Sequence, residues 1–307
     1  MVSSLLSVMT WNMWFDKKNR AQRTETLLNE VSCYDPDIVA LQEVVQESLE
    51  IIIAKMRPTY YVIGTISPHI GYDTIILSKF PPIEWDRYYL PKTKMGRNLL
   101  LVTLQTPSRQ ITVGTFHLES VFFPKTKLAE DLKESQLKYI YAISPINSIL
   151  MGDTNLVINN DPYPFPSSES PKCPNNPPII DVYYVPPNDE PNATLDMIDL
   201  GAEDIELQES DVHSASPPDV HNLGVCPFSK GAGGSPFSKG AWGSPFLKGA
   251  TYCGRKNKHV KNKSIQSRLD RIYVKIKRNS LKVHFYGLTG TFTQPSDHFG
   301  VFAQIDF

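Results

Sequence analysis

Five times along this chain an apolar, strand-like run stops on a short polar motif: TWN at Thr10–Asn12, LQE at Leu41–Glu43, HLE at His117–Glu119, GDTN at Gly152–Asn155 and SDH at Ser296–His298. Polar groups are costly in the middle of a buried strand and far cheaper where the backbone leaves the sheet. The pattern therefore predicts carboxylates, amides and histidines gathered at strand ends. It runs from Asn12 to His298, so cutting the chain into domains would divide the set. One domain over residues 1–307 is predicted. The donor set suits hydrolysis of a phosphate ester assisted by a divalent cation.

Between the motifs, strands and helices alternate. Leu5–Thr10 reads as a buried strand. Arg20–Val31 carries apolar residues at Ala21, Leu27, Leu28 and Val31, as an amphipathic helix does, and Pro36 follows it. Ile38–Leu41 is a short buried strand, and Glu47–Met56 is helical. Tyr60–Ile63, Tyr72–Ser78, Asn98–Leu104 and Gln110–Phe116 read as strands, several joined by short turns. Lys127–Ile143 is helical, and Ser148–Met151 and Phe299–Ile305 are strands. Hairpin-like pairs mixed with strand–helix alternation predict two mixed β-sheets packed face to face with helices outside.

Composition excludes several classes. With 41% hydrophobic and 21% charged residues, the chain has ample material for a large core. A net charge of -1 means that any nucleic-acid surface is a local patch. Cys33, Cys173, Cys226 and Cys253 are widely spaced with no CxxC pair, which argues against zinc and against a disulfide framework and predicts a reducing, intracellular compartment, nucleus or cytoplasm. The start, MVSSLLSVMTWN, lacks a basic n-region and predicts no secretory signal. No apolar run approaches the ~20 residues that span a bilayer, so no membrane partner is expected. Oligomeric state is not readable.

From Pro162 to about Thr251 the chain changes character. Prolines cluster, an acidic stretch follows, and a nine-residue repeat appears: PFSKGAGGS from Pro227, PFSKGAWGS from Pro236 and PFLKGAT from Pro245. The repeat lacks the Asp that calcium-binding nonapeptides need. It reads as a low-complexity insertion over 188–250. The basic run Arg255–Lys263, RKNKHVKNK, is a solvated loop, a phosphate-contacting loop or a localisation signal.

Phosphodiesters resist attack because they already carry negative charge. That charge must be neutralised, water delivered in line and the leaving oxygen stabilised. Glu43 at its strand end is a turn residue or a hard-cation ligand. With Asp297 and Asn12 as further oxygen donors, the ligand reading favours Mg²⁺ or Mn²⁺ over zinc. Asp153 would orient or deprotonate water and Asn155 would hold water or phosphate, with Gly152 permitting the turn, against the plainer reading of an Asx-turn. A protonated His298 facing phosphate needs an orienting carboxylate, for which Asp270 in RLDRIYV is the candidate. His117 is a second phosphate donor.

These motifs, with GYDTIIL at Gly71–Leu77, KMGRNLL at Lys94–Leu100, HLES at His117–Ser120, IIDV at Ile179–Val182 and PSDHFG at Pro295–Gly300, resemble the tyrosyl-DNA phosphodiesterase 2 family. That family lies within the endonuclease/exonuclease/phosphatase superfamily. The resemblance implies the DNase I-like four-layered α/β sandwich and Mg²⁺-dependent cleavage between a protein tyrosine and a 5′ phosphate of DNA, leaving a 5′-phosphate; RNA stays open as a partner. It implies Glu43 as metal ligand supported by Asn12 and Asp297, and Asp153 and Asn155 on the water. It implies His298 and His117 on the phosphate, and Arg97 and Tyr72 on the scissile phosphate or the DNA strand. The chain departs from the family at Trp14, Val157 and Cys253, positions tied to the grip on DNA. The alternatives are another hydrolase of the superfamily, such as an abasic-site nuclease, a deadenylase-like nuclease or an inositol-phosphate or lipid phosphatase, and a non-catalytic nucleic-acid-binding module.

Overall fold

The computed structural model describes residues 5–120, 127–156, 179–181, 250–276 and 282–306. In chain order the elements are β1 (Leu6–Asn12), α1 (Arg20–Tyr34), β2 (Ile38–Val45), α2 (Gln46–Met56), β3 (Tyr61–Ile63), β4 (Tyr72–Ser78), β5 (Pro82–Tyr89), β6 (Asn98–Gln105) and β7 (Gln110–His117). There follow α3 (Lys127–Ile143), β8 (Ser148–Asp153), β9 (Ile179–Asp181), β10 (Tyr252–Cys253), β11 (Gln266–Ser267), β12 (Asp270–Lys275), β13 (Lys282–Thr289) and β14 (Gly300–Asp306). The five motifs lie in one compact unit, formed by Met1–Asp189 and Trp242–Phe307. Of the insertion expected over 188–250, only Ala250 falls within the described residues, as Val157 does not.

Two six-stranded sheets carry the fold, in the orders β13-β14-β1-β2-β4-β3 and β5-β6-β7-β8-β12-β9. Each is mixed. β1 runs parallel to β2 and β7 parallel to β8, while the other neighbours are antiparallel. The inner faces interlock in one core: Val8, Ala40, Ile76, Val301 and Ala303 of the first sheet meet Leu100, Val102, Val113, Met151 and Ile272 of the second. Leu137 and Ile140 of α3 cover the outer face of the second sheet, against Leu99, Phe116 and Leu150. On the first sheet α1 buries Leu27, Leu28 and Val31, and its Tyr34 ring meets Phe302. The four-layered sandwich expected from the sequence is present.

Two local features aim the motifs. The β2–β4 register shifts between Leu41 and Val44, and Glu43 takes a left-handed backbone with φ 57°. This bulge breaks the alternation of the strand and turns the carboxylate out of the sheet. β8 runs on through Asp153, so Gly152 sits inside a strand and not in a turn, correcting the role expected for it. A Cβ there would lie 2.0 Å from the Phe116 carbonyl, so glycine is required by the close approach of β7. Asp270 is the first residue of β12, paired in register with Asp153 of β8.

Candidate active site

Asp153 is the meeting point. Its Oδ2 accepts from Asn12 Nδ2 at 2.9 Å, lies 3.3 Å from His117 Nε2 and lies 3.8 Å from His298 Nε2. Asn12 ends β1 and His298 precedes β14, neighbouring strands inside the first sheet, while His117 and Asp153 come from adjacent strands of the second, where their Cα atoms pair in register. Burial alone would raise the Asp153 pKa, but His117, His298 and the Asn12 amide outweigh it and hold the group well below the ordinary carboxylate range. It is a permanent anion.

His117 is oriented from behind. Arg97 Nη1 lies 2.6 Å from Nδ1, and a guanidinium only donates, so Nδ1 accepts while Nε2 faces Asp153. The Asn155 amide lies 2.8 Å from the same Nε2 and also donates to the Leu118 carbonyl at 3.1 Å. Asn155 has a left-handed backbone, φ 49°, and its N–H returns to Asp153 Oδ1 at 2.8 Å, so the Asx-turn and the site are one structure. Arg97, expected on the substrate, is buried with Nη1 on His117 and Nε without a partner, and its guanidinium lies 5.4 Å from the centre of the Tyr72 ring. Tyr72 itself stacks on Phe15 at 5.2 Å.

Asp270 meets His298 from behind. Its Oδ2 lies 2.7 Å from His298 Nδ1, in a fully buried pair. Burial opposes charge on His298, but Asp270, Asp153 and Asp297 outweigh it and raise its pKa well above the ordinary value. The pair therefore keeps its proton on the imidazole, with Nε2 directed at Asp153. Thr251 Oγ1 accepts from the Leu269 and Asp270 N–H groups, and the Tyr252 ring packs 5.1 Å from His298.

Oxygen donors for a cation lie on the other side of Asp153. Glu43 Oε2 accepts from the Phe15 N–H at 3.0 Å, and Oε1 is 4.0 Å from His117 Nε2. Burial, then the charges of Glu43, Asp153 and Asp270, push Asp297 up to about 6 against the pull of His298. That surplus of buried negative charge fits a hard divalent cation. Asn12 is already committed, donating to Asp153 and accepting from the Trp14 N–H at 2.9 Å, which leaves one lone pair on Oδ1. Asp153, Asp270 and His298 form a second set whose ligand atoms lie within 4.8 Å of one another, but Asp270 and His298 are already closed onto each other.

Two residues play parts that sequence reading did not assign. Arg23, on the buried face of α1 and 7% exposed, donates to five carbonyls: Met13, Trp14, Asp16, Lys18 and Pro295, at 2.6–3.1 Å. It also lies over the Trp14 ring at 4.5 Å. It ties the loop after TWN to the loop before SDH. Glu119, the acidic residue of HLE, turns away from the cluster and binds Thr93 Oγ1 and the N–H groups of Lys94 and Met95, shaping the loop that carries Arg97.

The chain that carries this cluster has known relatives. The sequence profile of the Endonuclease/Exonuclease/phosphatase family matches residues 9–298. The chain belongs to that family. Tyrosyl-DNA phosphodiesterase 2 of Homo sapiens is 31% identical over 157 residues, 50% of this chain and 42% of that protein. The Mus musculus protein of the same name is 33% identical over 158 residues, with the same shares. The chain thus spans less than half the length of these relatives. By fold, the D. rerio TDP2 structure complexed with single strand DNA product matches 99% of this chain and 100% of that chain, with a TM-score of 0.63 at 19% identity. The human Nocturnin catalytic domain with bound sulfate matches 100% and 96%, with a TM-score of 0.58 at 18% identity. Proteins of different names thus share this sandwich.

Proposed function

We propose that this chain is a Mg²⁺-dependent phosphodiesterase, with Mn²⁺ as a substitute, that hydrolyses the bond between a protein tyrosine and a 5′ phosphate of DNA and leaves a 5′-phosphate. The observation that carries the reaction class is the convergence of Asn12, His117 and His298 on one oxygen of the buried anion Asp153. Similarity to vertebrate tyrosyl-DNA phosphodiesterase 2 over half the chain supports the substrate.

In this reading Asn12 fixes the rotamer of Asp153, which binds a water through its free lone pairs and orients it for in-line attack. The depressed Asp153 pKa makes it an orienting anion before it is a strong base. His298, kept protonated by Asp270, donates from Nε2 to a phosphoryl oxygen and stabilises the pentacovalent charge. His117 and the Asn155 amide face the phosphate from the other side. Glu43 and Asp297, with Asn12 Oδ1, would hold the cation. A cation held there would supply charge neutralisation at the phosphoryl group and at the departing phenolate. The adduct preference between DNA and RNA, the role in DNA repair and the nuclear or cytoplasmic setting belong to the same proposal.

A synthetic oligonucleotide with a 5′-phosphotyrosyl end tests it. Release of tyrosine with Mg²⁺, abolished by EDTA, is expected. Rapid hydrolysis of an abasic-site, poly(A) or inositol-phosphate substrate with no tyrosine release would overturn the substrate and keep the reaction class.

A further inference from the structure

The turn Gly290–Gln294 displays Phe292 with 93% of its surface in solvent, more than any other large hydrophobic side chain among the described residues. The turn is not loose. Gly290, with φ 72°, packs against Trp11, and the Gln294 N–H returns to its carbonyl at 2.9 Å. Thr293 and Thr289 hydroxyls donate to the two oxygens of Glu30 at 2.9 and 3.2 Å. Gln294 Nε2 donates to the Lys256 carbonyl at 2.6 Å. A pinned scaffold therefore holds an aromatic ring in water.

Gln294 joins this turn to the basic run Arg255–Lys263, which has five Lys or Arg in nine residues and no acid. The Lys258 N–H donates to Gln294 Oε1 at 2.9 Å, and Lys258 Nζ reaches the Thr293 carbonyl at 3.4 Å. The run is itself folded. Asn257 and Val260 are buried, Asn257 Nδ2 donates to the Ser296 carbonyl, and Lys263 turns back onto the Val260 carbonyl. Lys258 and Lys261 stay exposed. The His259 ring packs 4.9 Å from Trp14, which follows Asn12 by two residues. Direct contacts thus link Trp14, His259 and Lys258 to the turn that carries Phe292.

We propose that Lys258, Lys261 and Phe292 bind an unpaired nucleic-acid strand running out from the phosphate at the catalytic cluster, the lysines meeting phosphates and the Phe292 ring stacking on a base. This rests on the reading of the substrate as a nucleic-acid end. Stacking selects a single strand because base faces in a duplex are covered by their neighbours. In a chain of net charge -1, this acid-free run is the local cationic patch that a polyanion requires. Glu30, the acid beside the turn, is occupied by two hydroxyls.

Fluorescence anisotropy of a short labelled oligothymidylate, in EDTA to prevent turnover, measures the surface directly. Phe292→Ala is expected to weaken binding roughly ten- to a hundredfold. Tyr89→Ala, an exposed aromatic on β5, should bind as wild type. Lys258→Glu with Lys261→Glu should flatten the slope of log affinity against log salt by about 1.4. Circular dichroism melts confirm that each variant is folded. Wild-type affinity in Phe292→Ala overturns the proposal, as does a Phe292 effect seen only on phosphatidylserine vesicles. Turnover of a nitrophenyl ester of a thymidine 5′-phosphate, too short to reach Phe292, tests the active-site reading separately.

Discussion

Asn12 Nδ2 and Asp153 Oδ2 are 2.9 Å apart and 141 residues apart in sequence, and this bond joins the first motif to the fourth across the two sheets. Asn12→Asp would set a carboxylate against the Asp153 carboxylate and raise the pKa of the pair. Turnover on a 5′-phosphotyrosyl oligonucleotide should fall by about two orders of magnitude or more, and so should that of Asp153→Asn. Wild-type kcat in Asp153→Asn would remove this residue from the chemistry.

The His298–Asp270 pair sets the alkaline limit. A raised histidine pKa means that the imidazolium, and the stability that it contributes, is present below the unfolded value and is lost as pH rises through the folded one. Asp270→Asn removes the neighbouring charge and lowers the His298 pKa. The alkaline limb of the kcat profile should therefore move to lower pH, which a pH–rate series reads directly; an unmoved limb would assign it to another group.

Arg23 should matter far more than a helical arginine normally does. Arg23→Ala leaves five carbonyls without their donor, four of them on the loop after Asn12 and one on the loop that leads to Asp297. We expect a loss of about 3 kcal/mol or more in urea unfolding. Arg23→Lys, with three donors on one nitrogen, should recover only part of it.

Asp297 predicts a proton released on cation binding. In the metal-free protein its carboxyl is pushed up to about 6 from 3.8, so between those values the folded state keeps a proton that the unfolded chain has lost. This group therefore withdraws stability as pH rises from about 4 to 6. Titration calorimetry with Mg²⁺ in buffers of different ionisation enthalpy should show proton release at pH 5.5 that vanishes at pH 8 and in Asp297→Asn.

The motifs were legible because each is a polar break in an apolar run, and the strands carrying them were placed close to where they lie. Their ends were set short: β1 continues to Asn12, β2 to Val45 and β8 to Asp153, because residues facing a site interrupt hydrophobic alternation without interrupting the backbone. β5 was not legible. It is an edge strand that begins on Pro82 and leaves Glu84, Trp85 and Asp86 in solvent, so it has no buried face to reveal it. Arg23 was unreadable for a different reason: a cation on a helix signals solvent until the five carbonyls around it are seen. The left-handed backbone of Glu43 likewise depends on the β2–β4 pairing and has no local sequence signal.

The division of the cluster between the two sheets has a consequence for folding. Asn12 and Glu43 ride on one sheet, His117, Asp153 and Asp270 on the other, and neither set holds a full complement of donors. Catalytic competence is therefore a property of the docked sandwich alone. A half-formed intermediate in which one sheet has condensed would hold only part of the cluster. Loss of activity and loss of tertiary near-ultraviolet signal should then follow a single denaturant transition.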